Sequence, residues 1–156
     1  MRADLRDLYQ AVILEHARSP RNFARLENAT TSAHGHNPMC GDEVTVFVRL
    51  DEAGRIGEAA FEGNGCAICL ASASLMTGLL RGRSPEAAER LSEAFARLCS
   101  EDGSEEDAVA AEDREALRQL EALSGVRAFP VRIRCATLPW QTMRAALHDE
   151  SEVCGE

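Results

Sequence analysis

The sequence predicts an α+β domain in which a small antiparallel β-sheet packs against several α-helices. Two observations carry this prediction. Apolar residues recur at helical spacing in the first 16 residues and again after residue 66, and they alternate with period two between residues 44 and 61. A chain of 156 residues, 45% of them hydrophobic, suits one buried core and is short for two. We therefore predict a single domain over residues 4–149 and a frayed tail over residues 150–156.

The first predicted helix has one apolar face. Its members follow i, i+3, i+4 spacing and are Leu5, Leu8, Tyr9, Val12, Ile13 and His16. Pro20 ends this helix, because proline lacks the N–H that would continue the hydrogen-bond ladder. Residues 22–39 are polar and show no period, so they are predicted to form an irregular segment.

A β-hairpin follows. Apolar residues at every second position from Val44 to Leu50 predict a half-buried strand. Residues 51–54 carry a turn signal, and residues 56–61 are predicted to return as an antiparallel strand. Gly63 and Gly65 stop this second strand.

Four helical segments are predicted after the hairpin. A buried helix begins at Cys66 and ends near Gly82, and the next begins with Ser84 as N-cap and Pro85 in its first turn. Acidic residues 101–113 predict a solvated loop. The third helix carries Leu117, Leu120 and Leu123. Residues 131–134 alternate and predict a short extended piece, which leads through Cys135 into a last helix beginning near residue 137.

Charge and composition exclude several functions. The net charge is −9, the opposite of the balance in a protein that tracks nucleic-acid phosphates. All 17 basic residues are arginine, so the chain has no lysine for a Schiff base. The charged N-terminus has no apolar signal core, and no stretch approaches 18 apolar residues, so neither export nor a membrane span is predicted. The expected compartment is the cytoplasm, where cysteines serve as metal ligands, reactive thiols or buried apolar residues.

Three of the six cysteines stand at predicted element ends, where side chains can converge without filling the core. Cys40 precedes the first strand, Cys66 opens the buried helix, and Cys135 lies before the last helix. Asp42 is two residues after Cys40, so in extended chain the thiol and the carboxylate point to the same side. Three thiolates and a carboxylate make a tetrahedral zinc set. Spacing alone leaves it equally open that each cysteine is a buried thiol.

The remaining cysteines and the histidines carry weaker signals. Cys66 and Cys69 form a C-x-x-C, but the βαβ context of a thioredoxin-like redox pair is absent. Cys99 and Cys154 are interpreted as incidental. The four histidines are interpreted as ordinary positions: His16 packs on the first helix, His34 and His36 are exposed loop residues, and His148 sits near a helix C-terminus, where a cation is favourable.

Three motifs, taken with their neighbours, resemble the IscU/NifU N-terminal type of iron–sulfur assembly proteins, which have the SufE/NifU-like fold. The first is N-P-M-C-G-D around Cys40, the second is F-E-G-N-G-C-A-I ending just after Cys66, and the third is F-P-V-R-I-R-C-A-T-L around Cys135. The opening helix also resembles this family, and the likeness extends from about residue 8 to residue 147.

Two features resemble the SufU branch of this family rather than its IscU-type scaffolds. The scaffolds have a histidine immediately before the third cysteine, where this chain has Arg134, a side chain that stays protonated and cannot ligate a metal. The segment between the second and third cysteines is also longer than in the scaffolds. Cys69 and Cys154 depart from the family pattern and leave open a further sulfur relay or redox sensitivity.

The resemblance implies a zinc ion held by Cys40, Asp42, Cys66 and Cys135, with Cys40 as the catalytic thiol. It implies a zinc-dependent sulfurtransferase that accepts persulfide sulfur from a SufS-type cysteine desulfurase and passes it to a downstream iron–sulfur assembly scaffold. Two alternatives remain: a scaffold that assembles an iron–sulfur cluster on the same cysteines, and a purely structural zinc domain. Arg132 and Arg134 are candidates for steering the desulfurase and equally for ordinary exposed arginines.

Overall fold

The computed structural model describes residues 2–100 and 111–154. These residues form a four-stranded mixed sheet covered by helices. The α+β class predicted from the sequence is confirmed. The strands are β1 (Thr31–Asn37), β2 (Asp42–Leu50), β3 (Ile56–Asn64) and β4 (Glu152–Cys154). The helices are α1 (Arg2–Arg18), α2 (Ala67–Leu80), α3 (Pro85–Cys99), α4 (Ala111–Leu120) and α5 (Pro130–Leu147), with a 3₁₀ segment (Glu121–Ala128) between the last two.

The sheet has the order β3-β2-β1-β4, and its central hairpin is the predicted one. β2 pairs antiparallel with β3 and, on its other side, with β1. The prediction of an irregular segment over residues 22–39 is therefore wrong for residues 31–37. β1 has no apolar alternation because α5 packs closely on it: a methyl group on Gly35 would lie 2.0 Å from the Thr142 hydroxyl. Its buried positions are small or polar, namely Ala33, Gly35 and Asn37.

The tail prediction is also wrong for residues 152–154. This segment pairs parallel with β1 as strand β4, so the sheet is mixed rather than wholly antiparallel. The His34 N–H donates to the Ser151 carbonyl at 2.8 Å, and Val153 packs against the core. A strand of three residues is too short to show the two-residue alternation that would predict it from the sequence. Residues 155 and 156 lie outside the described chain.

The predicted helices α1, α2 and α3 are present. The α1 side chains before residue 10 lie outside the described residues, so the predicted positions of Leu5, Leu8 and Tyr9 are not described. Ser84 caps α3 as expected, and its hydroxyl accepts the Ala87 N–H at 3.1 Å. α2 is buried over most of its length and packs between α1, β3 and α5.

The prediction of a solvated loop over residues 101–113 is wrong for residues 111–113, which begin α4; residues 101–110 lie outside the described chain. Asp113 is only 1% exposed, because its carboxylate binds two arginines. Arg83 Nη1 donates to Oδ1 at 2.8 Å and Arg90 Nε donates to Oδ2 at 2.9 Å. This paired carboxylate fixes α4 against α3 and the turn that precedes it.

The extended piece predicted over residues 131–134 is helical, and α5 begins at Pro130. Proline suits the first helical position because its missing N–H needs no partner there. The alternation that suggested a strand does not reflect burial, since Val131 is exposed and Ile133 only half-buried. α5 also continues through Pro139, so Cys135 lies inside a helix rather than ahead of one.

Candidate metal centre

The turn between β1 and β2 presents Cys40 and Asp42. The Cys40 and Gly41 N–H groups both donate to the Asn37 carbonyl, at 3.2 and 2.8 Å. Gly41 has φ +73°, a left-handed conformation that glycine adopts without strain. The Asn37 side chain accepts the Met39 N–H at 3.2 Å and so closes the turn. The turn leaves Cys40 half-exposed and Met39 well exposed.

Asp42 points inward at the start of β2. The residue is 1% exposed, and its Oδ1 accepts the backbone N–H of Cys66 at 2.9 Å. Its other oxygen, Oδ2, is buried and has no hydrogen-bond partner among the described residues. Buried carboxylate oxygens are normally paired, so an unpaired one requires an explanation such as a cation.

Cys135 meets this carboxylate from the opposite side. Its side chain is fully buried on α5, and its Sγ lies 3.3 Å from Cys40 Sγ. The candidate ligand atoms of Cys40, Asp42 and Cys135 all lie within 4.8 Å of one another. α5 is held in place by α2, where the Ser72 hydroxyl donates to the Ala136 carbonyl at 2.5 Å and accepts Trp140 Nε1–H at 3.1 Å.

Cys66, the fourth predicted ligand, lies beside these three. It is the N-cap residue of α2, half-buried, and anchored to Asp42 through its backbone N–H. Burial raises the pKa of the Cys135 thiol far above its ordinary value, and the nearby Asp42 carboxylate and the Cys40 and Cys66 thiols add to the shift. A cation bound among these groups would reverse this shift, because metal ligation favours the thiolate.

The donor set suits a metal ion. Thiolate sulfur and carboxylate oxygen are donors found in tetrahedral zinc sites. The Asp42 Oδ2 has no hydrogen-bond partner among the described residues, so it is available to bind a metal ion. The described residues thus include a Cys–Asp–Cys group that can hold a metal. The Cys66 thiol is not part of this group, and Cys66 is linked to it by the hydrogen bond from its backbone N–H to Asp42. No other group of three or more metal-ligating side chains at such distances is found in the described part of the chain.

The predicted arginines lie on the surface near the thiols. Arg132 and Arg134 are both exposed at the start of α5. The pKa of Arg132 is raised above its ordinary value. The largest cause is the electrostatic interaction with Cys66, and the next is the hydrogen bond with Cys135. Beside Arg132 a groove of about 930 Å³ runs between α1, the first residues of α2 and the 3₁₀ segment, and Cys66 forms part of its wall.

Cys69, whose role the sequence leaves open, lies close to the candidate site. Its side chain is 1% exposed and lies against Gly65: a methyl group built there would sit 3.3 Å from Cys69 Sγ and 3.0 Å from Asp42 Oδ1. Burial raises the pKa of Cys69 far above its ordinary value, with smaller contributions from Asp42, Cys66 and Cys40. The C-x-x-C spacing was the available signal.

The remaining predicted positions lie elsewhere. His16 is half-buried, as expected, and its Nδ1 lies 2.7 Å from the Ser74 hydroxyl. His34 and His36 are half-buried on β1, so the prediction of exposed loop residues is wrong for both. His148 ends α5 and its Nε2 lies 2.5 Å from a Glu89 oxygen. Cys99 is buried on α3, where burial raises its pKa to about 12. The Cys154 side chain lies outside the described residues.

Comparison with known proteins gives consistent matches. Residues 8–135 match the model of the NifU-like N terminal domain. The chain is 38% identical to the zinc-dependent sulfurtransferase SufU of Bacillus subtilis, with 95% of both chains covered, and 36% identical to the iron–sulfur cluster assembly scaffold protein IscU of Streptococcus pyogenes serotype M1, with 92% of this chain and 84% of the relative covered.

A crystal structure from Fervidobacterium islandicum AW-1, proposed as an iron–sulfur cluster assembly scaffold protein for the SUF system, superposes with a TM-score of 0.73 at 27% identity. The match covers 87% of this chain and 93% of that one. Among the described helices, none is long and apolar enough to cross a membrane. The fold, the three cysteine motifs and these matches agree that the chain belongs to the NifU-like N-terminal domain family of iron–sulfur cluster assembly proteins.

Proposed function

We propose that this protein is a zinc-dependent sulfurtransferase that accepts persulfide sulfur from a cysteine desulfurase during iron–sulfur cluster assembly. The observation that carries the proposal is the buried Asp42 carboxylate, which lies within 4.8 Å of the Cys40 and Cys135 thiols and whose Oδ2 has no hydrogen-bond partner among the described residues. The 38% identity to a zinc-dependent sulfurtransferase over 95% of both chains supports the same reading.

Cys40, Asp42, Cys66 and Cys135 would hold the zinc ion. When bound, zinc supplies a positive charge that keeps the thiols deprotonated at neutral pH, the form in which sulfur is nucleophilic. Asp42 contributes a hard oxygen ligand and fixes Cys66 through its backbone N–H. Cys135 is fully buried and held by α5, so it serves as an anchoring ligand rather than as the acceptor.

Cys40 is the thiol best placed to accept sulfur. It is half-exposed on a turn, whereas Cys66 is fixed as the N-cap of α2. The Cys40 thiolate attacks the outer sulfur of a persulfide on the partner's cysteine. A new S–S bond forms on Cys40, the S–S bond of the donor breaks, and the donor cysteine leaves as a thiolate. No oxidant or reductant is needed, because the sulfane sulfur moves without a net change in electrons.

The partner must supply the chemistry that this chain lacks. Cysteine desulfurases use pyridoxal phosphate bound to a lysine, and this chain contains no lysine, so the carbon–sulfur cleavage takes place on the partner. We propose a SufS-type desulfurase as the donor and a downstream iron–sulfur assembly scaffold as the receiver. Arg132 and Arg134, both exposed beside the thiols, are positioned to pair with acidic groups of the desulfurase.

A second candidate function is a scaffold that builds an iron–sulfur cluster on the same cysteines. The 36% identity to an IscU scaffold protein favours it. Arg134 argues against it, because this residue precedes Cys135, is exposed, and carries a guanidinium that cannot ligate iron. The sulfurtransferase therefore stands as the main proposal.

The two functions are separated by metal content and desulfurase turnover. The protein is purified without air, its zinc and iron are measured, and it is then mixed with a SufS-type desulfurase and cysteine. We expect one zinc per chain and a rise in turnover that Cys40→Ala abolishes, while Cys99→Ala, a buried thiol on α3, retains it. A stable iron–sulfur chromophore without stimulation would overturn the proposal. Loss of thermal stability in Cys40→Ala with turnover intact would indicate a structural zinc domain instead.

A further inference from the structure

Cys66 and Cys69 occupy the first turn of α2 as the N-cap and the third helical residue. Cys66 has extended backbone angles, φ −71° and ψ 168°, and its side chain makes no capping hydrogen bond. In a capping box the N-cap side chain bonds to the backbone N–H of the third helical residue, and the side chain of that residue reaches back to the N-cap backbone N–H, so both side chains lie against the same turn. The Cys66 and Cys69 side chains therefore project from the same end of α2, at the spacing of a C-x-x-C pair.

The two thiols also differ in access, as a reactive thiol and a resolving thiol should. Cys66 is half-buried and forms part of the wall of the 930 Å³ groove, so a small oxidant reaches it from solvent. Cys69 is 1% exposed and lies behind it, against Gly65 and near Asp42. Gly65 allows this arrangement, because a methyl group there would press on the Cys69 sulfur at 3.3 Å.

The proposed sulfur transfer leaves Cys69 unused. The zinc set is complete with three thiols and one carboxylate, and Cys40 accepts the sulfur. Cys69 is thus a free, buried thiol three residues from a proposed metal ligand, on the same turn of the helix and at the spacing of a C-x-x-C pair.

We propose that Cys66 and Cys69 form a reversible disulfide when the protein meets a hydroperoxide. The Cys66 thiolate attacks the peroxide O–O bond and becomes a sulfenic acid, while the second oxygen leaves as hydroxide. The Cys69 sulfur then attacks the sulfenic sulfur: the S–S bond forms, the S–O bond breaks, and the hydroxyl leaves with the Cys69 proton as water. The two thiols together give two electrons to the peroxide. A cellular dithiol restores both thiols by exchange.

Oxidation would also remove a ligand from the metal centre. Once Cys66 is in a disulfide it no longer offers a thiolate, so zinc is held by fewer ligands and is released. This consequence rests on the proposed function, whereas formation of the disulfide does not. The pair would thus act as a switch that stops sulfur acceptance under peroxide stress and restores it on reduction.

The arrangement of arginines makes the disulfide easy to detect. Cleavage after arginine yields a peptide of residues 56–81 that contains Cys66 and Cys69 and no other cysteine. Cys40 and Cys135 fall on two different peptides, residues 26–49 and 135–144. After treatment with hydrogen peroxide and alkylation of free thiols, we expect the 56–81 peptide to be unalkylated and two hydrogens lighter than its reduced form. A dithiol added before alkylation should return it to the doubly alkylated mass.

The test compares two variants with the wild type, and it compares the wild type with and without zinc. Cys69→Ser should lose the light peptide and accumulate irreversible sulfinic and sulfonic forms of Cys66, while Cys99→Ser, which removes a buried thiol on α3, should behave like the wild type. Zinc-free wild type should form the disulfide, and zinc-loaded wild type should release zinc to a chelating dye as it forms. If peroxide instead cross-links the 26–49 and 135–144 peptides and leaves residues 56–81 fully alkylated, the proposal is wrong. If the disulfide forms and zinc stays bound, the pairing stands and the zinc set that includes Cys66 is wrong.

Discussion

Asp42 and Asp113 are equally buried, each 1% exposed, but they have opposite surroundings. Both oxygens of Asp113 accept hydrogen bonds from guanidinium groups, one from Arg83 and one from Arg90. Asp42 accepts the Cys66 backbone N–H at Oδ1, and its Oδ2 has no partner among the described residues. Among the described residues, both oxygens of Asp113 are paired, while Asp42 keeps one unpaired oxygen that the proposed zinc ion would contact.

The difference separates a structural role from a functional one. A buried carboxylate costs free energy unless it is paired, so a fold that retains one must offset that cost with another favourable interaction. At Asp113 the arginines are that partner, and the pair joins α4 to α3. At Asp42 the Cys40 and Cys135 thiols lie within 4.8 Å of the carboxylate, and the proposed zinc ion would join these groups.

The largest effect predicted from this comparison is stabilisation of the fold by zinc. A ligand that binds only the folded state at a thousand times its Kd stabilises by about 4 kcal/mol. Removing zinc with a chelator should lower the free energy of unfolding by about that amount, measured by urea unfolding at fixed free zinc. Asp42→Asn should cut the zinc-dependent part by at least about 1.4 kcal/mol, because losing a ligand weakens affinity by more than tenfold.

The same variant has a second expected outcome without zinc. Asparagine keeps an oxygen that accepts the Cys66 N–H and removes a buried carboxylate, so zinc-free Asp42→Asn should be at least as stable as the zinc-free wild type. A clear loss of stability in the zinc-free variant would show that Asp42 has a partner in the fold itself, and the contrast with Asp113 would fail.

The parts of the fold that were predictable share a clear period or a local signal. The α3 cap at Ser84 and the β2–β3 hairpin follow from such signals. β1 was missed because its buried positions carry small or polar residues such as Gly35, which are set by the close approach of α5 rather than by hydrophobicity. The start of α5 was misread because alternating Val131 and Ile133 imitate a strand, while their helical state depends on Pro130 and on packing against α2.

The sequence names four candidate ligands, of which Cys40, Asp42 and Cys135 come together in the structure, but it does not indicate how they meet. Residues far apart in sequence, such as Cys40 and Cys135, meet because the β1–β2 turn and α5 pack together, and no local spacing encodes that contact. The position of Cys69 near Asp42 was likewise not predictable, since it depends on Gly65 lacking a side chain. The spacing of the cysteines did not show that they form one site, and only the resemblance to a family implied that they share a metal ion.

A smaller effect is expected from Asp113→Asn. An asparagine amide would place an N–H group against an arginine donor, so one charge-assisted bond is lost and the other is weakened. The free energy of unfolding should fall by about 2 kcal/mol, with and without zinc. Glu112→Gln is the matched control: its carboxylate contacts the same Arg90 at 2.8 Å but is largely exposed, so the loss should stay below about 0.5 kcal/mol.

The pH dependence of this difference identifies its cause. Burial tends to raise the pKa of Asp113, but hydrogen bonds from Arg90 and Arg83 outweigh it and hold the pKa below its ordinary value of 3.8. A lowered carboxyl pKa stabilises the fold at pH values above the unfolded-state pKa, and this stabilisation is lost as the pH falls through the folded-state pKa. The gap between wild type and Asp113→Asn should be constant near neutrality and shrink below about pH 3.8. A gap that persists in acid would mean that packing, not charge, holds α4.

The smallest effect tests the space beside Asp42, through a pair of glycines. Neither Gly65 nor Gly78 has a left-handed backbone, so alanine is tolerated conformationally at both. At Gly65 the new methyl group would lie 3.0 Å from Asp42 Oδ1 and 3.3 Å from Cys69 Sγ, which forces these neighbours to shift. Gly65→Ala should therefore cost about 1 kcal/mol and weaken zinc binding, whereas Gly78→Ala, in open space on α2, should stabilise the protein by about 0.5–1 kcal/mol. Equal effects of the two substitutions, measured by thermal unfolding and zinc titration, would mean that the Asp42 carboxylate has room to move and that its burial does not define the site.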